Sequence, residues 1–129
     1  MLKKIGLTLF FAATSISTSA YSMSNYTLLT STSMVFKFPP HEPQLLHNQL
    51  YWPISADCTI STKDHSDELQ AKAIKNTGTV NGINLIVNAG YFPIIVRSGE
   101  ILHITAESRA RIEIMNMGNE MVIAKCISI

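Results

Sequence analysis

From residue 34 onward, apolar and polar positions alternate with period two in most segments, the spacing of half-buried strands. Met34–Phe38 reads as a short strand halted by Pro39 and Pro40. From Tyr51 the set Trp52, Ile54, Ala56, Cys58 and Ile60 points one way, while Ser55, Asp57 and Thr59 point the other. Pro53 then implies an edge position or an irregular start. Leu69, Ala71 and Ala73 share a face across Leu69–Lys75, where the competing reading is a short helix, because Ala, Lys, Leu and Gln favour one. Turn pairs follow at short intervals (Asn81-Gly82, Ala89-Gly90, Ser98-Gly99 and Met117-Gly118) and separate Ile83–Val87, Tyr91–Arg97, Ile101–Ala106, Ala110–Asn116 and Met121–Ser128. The pattern predicts an all-β fold, a single antiparallel β-sandwich of about 7–8 short strands, immunoglobulin-like or jelly-roll-like.

Two segments allow a finer expectation. Leu102, Ile104 and Ala106 share a face, as do Ala110, Ile112 and Ile114. Pairing them across a hairpin tipped by Glu107-Ser108-Arg109 sets Leu102 opposite Ile114 and makes His103 and Glu113 cross-strand neighbours. In the last strand, an inward Cys126 takes Val122 and Ala124 with it. Met121, Ile123, Ile127 and Ile129 then form an apolar outer face, an expected interaction surface unless the N-terminal segment covers it.

The start of the chain changes where this domain works. Lys3 and Lys4 precede a mostly apolar Ile5–Ile16 stretch and the small residues Ser17-Thr18-Ser19-Ala20, the order of a cleavable signal peptide over residues 1–22. The apolar stretch is shorter than the ~20 residues of a membrane span, and no later segment is long and apolar enough to be one. Residues 23–33, rich in Ser and Thr, read as a flexible lead-in or poorly specified first strand, and 34–129 as the domain. Without Lys3 and Lys4, the ten Lys and Arg fall to eight against nine Asp and Glu, a net charge of −1. That balance excludes a strongly basic nucleic-acid binder or polybasic membrane binder. Cys58 and Cys126 are the two cysteines. In an oxidising periplasmic or extracellular compartment they are expected to pair across facing layers, worth roughly 4 kcal/mol by loop closure.

Candidate chemistry is sparse. His41, His47, His65 and His103 form no zinc-binding spacing. The densest polar cluster, Asp64-His65-Ser66-Asp67-Glu68, offers Asp64, His65, Asp67 and Glu68 as weak metal ligands, but reads better as a solvated loop, since the glycine and order of an EF-hand are absent. Ser108 lacks a nucleophile-elbow context, and the cysteines lack CxxC spacing. Pro40 and Pro43 read as a rigid connector. Tyr51 and Trp52 could stack a sugar, but the alternation puts Trp52 in the core near Cys58.

A tryptophan beside a long-range disulfide resembles the immunoglobulin-like pattern. Trp52 precedes Cys58 instead of lying between the cysteines, and Ala124 stands where that family has tyrosine, so the resemblance implies only sandwich architecture. As a whole the chain resembles small exported β proteins of Gram-negative bacteria, including Legionella-like species. The expected role is a non-enzymatic binding module in the periplasm or outside the cell, with no cofactor and a protein partner, a second copy being one such partner. One alternative is a small hydrolase or metal-dependent enzyme using His103, Glu113 and the 64–68 loop. The other is a structural subunit of a surface assembly.

Overall fold

A computed structural model describes residues 24–30 and 32–129; the leader expected over 1–22 lies outside them. Among the described residues every regular element is a strand. In chain order they are β1 (Ser24–Thr27), β2 (Ser33–Phe38), β3 (Pro43–His47), β4 (Ile54–Thr62), β5 (Asp67–Lys75), β6 (Gly78–Val80), β7 (Ile83–Leu85), β8 (Phe92–Val96), β9 (Ile101–Ala106), β10 (Arg111–Asn116) and β11 (Val122–Ser128). They form a five-stranded sheet, ordered β1-β3-β10-β5-β8, and a six-stranded sheet, ordered β2-β11-β4-β9-β6-β7. All strand pairs are antiparallel except β1 with β3.

The alternation read from the sequence decides which face of each strand is buried. Ile54, Ala56, Cys58 and Ile60 of β4 are buried, as are Leu69, Ala71 and Ala73 of β5. With Phe36 and Phe38 of β2, Leu46 of β3, Leu102 and Ile104 of β9, Ile112 and Ile114 of β10 and Val122 of β11, they fill one core between the sheets. The strand reading of Leu69–Lys75 therefore holds over the helical one: burial of one face at period two outweighs the mild helical preference of Ala and Lys.

Alternation does not decide which strand lies beside which. Only β6 and β7 form a hairpin within one sheet, closed at Asn81 and Gly82, both with positive φ (51° and 80°) as this tight turn requires. Every other link between consecutive strands crosses from one sheet to the other. The expected β9–β10 hairpin is overturned for this reason. β9 pairs with β4 and β6 in one sheet, and β10 with β3 and β5 in the other. The two apolar faces meet across the core, so His103 and Glu113 are not cross-strand neighbours.

Two further expectations change, and of the two readings of the N-terminal segment the first-strand one holds. Cys58 and Cys126 form a disulfide, but they are directly opposed residues of the adjacent strands β4 and β11. The bond staples neighbours within one sheet and does not join the layers. Trp52 lies outside the core, 55 % exposed, because β4 begins only at Ile54. Pro53 marks that irregular start, not a sheet edge. Part of the N-terminal segment is ordered structure: β1 adds to β3, Leu28 is buried, and Tyr26 stacks edge-on against Phe36 with ring centroids 5.0 Å apart.

Candidate functional site

On the outward face of the six-stranded sheet, the ladder sets Val35, Lys125, Thr59 and Ile101 in one row and Ser33, Ile127, Asp57 and His103 in the next. Lys37, Ile123 and Ser61 form a third. Val35, Ile101, Ile127 and Ile129 are all exposed, Ile127 and Ile129 by 62 % and 69 %. Ile123 is half-buried, and Met121, exposed just ahead of β11, joins it in lining a shallow cavity of about 280 Å³. β1 does not cover this face, because it belongs to the other sheet.

His103 stands on the same face beside Asp57, its register partner on β4, with Nδ1 2.5 Å from Oδ1. Its backbone N–H donates to Asn81 Oδ1 at 2.8 Å. Glu113 lies on the outward side of the opposite sheet, between Leu45 and Lys72 in the ladder. There it is buried beneath Tyr91, whose hydroxyl donates to Glu113 Oε2. That bond, reinforced by burial and the carboxylate charge, pushes the phenol up to about 12. Lys72 Nζ sits 4.6 Å from the centre of the Tyr91 ring and borders a cavity of about 430 Å³.

Of the expected 64–68 loop, only Asp64, His65 and Ser66 lie in the link from β4 to β5 at one end of the sandwich; Glu68 and Asp67 open β5, and Asp67 is buried. Oδ1 accepts from the Glu68 N–H at 2.9 Å, and Oδ2 has no protein partner. Burial is the main cause that raises its carboxyl above the usual range, with Asp64, Glu120 and Glu68 adding repulsion. Glu68 is engaged by Gln70 Nε2 at 3.0 Å. Among the described residues no three Asp, Glu, His or Cys side chains are grouped to hold a metal. The enzyme alternative needs His103, Glu113 and this loop in one cleft, and the fold places His103 and Glu113 on the outward sides of opposite sheets, Glu113 buried beneath Tyr91.

The far end carries a group that sequence reasoning did not assemble. Arg111 is the ladder partner of both His47 on β3 and Lys75 on β5, where a bulge interrupts the register. Burial and the positive charges of Arg111, Arg109 and Lys75 push the His47 imidazole down from its ordinary value. Arg109 donates from Nη1 to the Gln49 carbonyl at 2.7 Å and lies 5.1 Å from the centre of the exposed Tyr51 ring. The available signal is weak: these side chains are spread from 47 to 111 in the chain, and alternation extended through Pro53 places Trp52 in the core.

Comparison with known proteins finds no family model, no curated relative and no solved structure that matches this chain.

Proposed function

We propose that this chain is an exported, disulfide-stapled β protein acting as a non-enzymatic binding module, with a protein partner seated on the outward face of the six-stranded sheet. The observation that carries the reading is the set of exposed aliphatic side chains on neighbouring rows of β2, β11 and β9: Val35, Ile127 and Ile101. Apolar groups held outward by a rigid sheet favour a partner that buries them. Lys125, set between Val35 and Ile101 in their row, and Lys37 in the next row suit acidic groups on that partner.

Three of the four sheet edges, β2, β7 and β8, are less suited to strand addition or to assembly of copies edge to edge. The Tyr26 hydroxyl meets the free edge of β2, accepting from the Lys37 N–H at 3.3 Å and facing its carbonyl at 3.5 Å. β7 has three residues, and β8 carries Pro93. The crossing of nine of the ten links between strands suits a jelly-roll-like path better than an immunoglobulin-like one, which keeps consecutive strands in hairpins. The Cys58–Cys126 bond supports export to an oxidising compartment, periplasmic or extracellular.

Two measurements test the reading. Affinity capture with the oxidised protein should retain a partner that Ile127→Lys together with Ile101→Lys releases; undiminished capture by that correctly folded variant rejects the face. Fractionation should find the protein outside the cytoplasm, with Cys58 and Cys126 alkylated only after reduction.

A further inference from the structure

Three loops meet at the end of the sandwich that holds Arg109: residues 48–53, 76–77 and 107–110. They are locked to one another by side chains. Asn48 is fully buried and its amide donates to the carbonyls of Trp52, Ala106 and Glu107 at 2.9, 3.2 and 3.0 Å. Asn76 donates to the Ser108 carbonyl at 2.8 Å, and Arg109 reaches Gln49. Between the loops lies an open depression of about 450 Å³ lined by Pro53, Asn76, Thr77, Glu107 and Ser108.

Two features of this end work against the stability of the isolated chain. Lys75 sits opposite Arg111, and like charges set opposite each other in a sheet repel. Among the described residues, the ion pairs with a carboxylate involve only Arg97 and His103, so these cations have none. Arg109 occupies the third position of a turn closed by the Ala110 N–H on the Glu107 carbonyl, at φ 61°, where glycine or asparagine would be unstrained. Beside them Tyr51 and Trp52 stand 78 % and 55 % exposed on a loop held rigid from beneath.

We propose that this end binds an acidic oligosaccharide, with a sugar ring stacked on Trp52 beside Tyr51 and its carboxylate or sulfate directed to Lys75, Arg109 and Arg111. Asn76, Thr77 and Ser108 supply donors and acceptors for ring hydroxyls. Glu107 accepts from a pair of hydroxyls. With partners for ring hydroxyls lining the depression and few cations around it, the chemistry favours a glycan over single-stranded nucleic acid, whose binding draws on many phosphate contacts. The site is separate from the apolar face of the six-stranded sheet and does not depend on it.

Trp52 is the single tryptophan of the chain and reports directly on the site. The oxidised protein should be titrated with a polyuronate hexasaccharide, a sulfated hexasaccharide, a neutral hexaose and a twelve-residue oligo-dT. Saturable change in Trp52 emission with one of the acidic sugars, at least tenfold tighter than with the neutral one, supports the proposal, and the stronger of the two identifies the acidic group. Arg111→Ala with Lys75→Ala should weaken that binding tenfold or more while the fold holds, since removing opposed like charges relieves repulsion. By calorimetry, Trp52→Ala should lower affinity by a similar factor and Ile127→Lys should leave it unchanged. No binding of either acidic sugar below millimolar concentration, equal binding of the neutral sugar or oligo-dT, or indifference to the Arg111/Lys75 change overturns it.

Discussion

Each end of the sandwich is closed over a fully buried asparagine. At one, Asn116 donates to the Phe38 and Glu120 carbonyls at 2.8 and 2.7 Å and accepts from the Gly118 N–H at 2.8 Å. At the other, Asn48 donates to three carbonyls and accepts from the Leu50 N–H at 2.9 Å. The charges placed on these clamps differ. The first end turns a carboxylate inward: Asp67 lies under Gly118, where a Cβ would come within 1.7 Å of Oδ1. The second end turns Arg109 and Arg111 outward and leaves Tyr51 and Trp52 uncovered. The same local hydrogen-bonding device thus supports a closed, acidic cap and an open, basic, aromatic platform. A buried amide fixes where the loops go; the residues flanking it decide what they can bind.

The largest effects should come from the clamps. Asn48→Ala removes four hydrogen bonds, one of them to a Glu107 carbonyl that keeps the Ala110 N–H, and should cost about 3 kcal/mol, whereas Asn116→Ala removes three and should cost about 2 kcal/mol. Thermal unfolding of the two variants would rank the ends, and equal losses would show that water replaces the extra bonds of Asn48. Gly118→Ala should destabilise by about 2 kcal/mol, as overpacking of a closed site does. In an Asp67→Ala background most of that cost should vanish, because the atoms a new methyl would strike are gone; an additive urea-unfolding cycle would reject the contact as its cause.

At the basic end the corresponding change is nearly silent. Arg109→Gly relieves about 1–2 kcal/mol of left-handed backbone cost, against about 1 kcal/mol of added glycine entropy and the lost contact with Tyr51, worth ~0.5–1 kcal/mol. Net stability should move by less than about 1 kcal/mol in a denaturant melt while glycan affinity falls, the signature of a residue kept for binding. The smallest effect concerns pH. Burial raises the carboxyl of Asp67 in the folded state, so the fold binds that proton more tightly than the unfolded chain does. Its contribution is present below the ordinary carboxylate pKa and is lost as pH rises through the raised value. Asp67→Asn should therefore be the more stable form at neutral pH, and the gap in unfolding midpoint should close under acid. A gap that persists at low pH would assign the gain to packing.

The inward faces were legible because a strand with one buried side announces it at period two: β4, β5, β9, β10 and β11 bury the residues the pattern selects. β3 is not legible: Pro40 and Pro43 point to a connector, and Gln44, fully inside, breaks the apolar signal of the residues that follow. The cysteine pairing followed from count and compartment, but the partner strand did not, since Cys58 and Cys126 face inward whether they sit in one sheet or two. For the same reason β9 and β10 looked like a hairpin. Both apolar faces point at the core in either arrangement, and only the path of Glu107–Ala110, held by Asn48, distinguishes them. Trp52 was misassigned because alternation was extended through Pro53, where the strand has not yet begun. That error also hid the aromatic platform.

β11 follows the ten other strands in the chain and slots between β2 and β4, carrying one half of the disulfide. A nascent polypeptide still waiting for it has β2 without a hydrogen-bonding neighbour in its own sheet and Cys58 without its mate. The molecule is therefore expected to stay pliable until β11 joins its sheet and the disulfide closes.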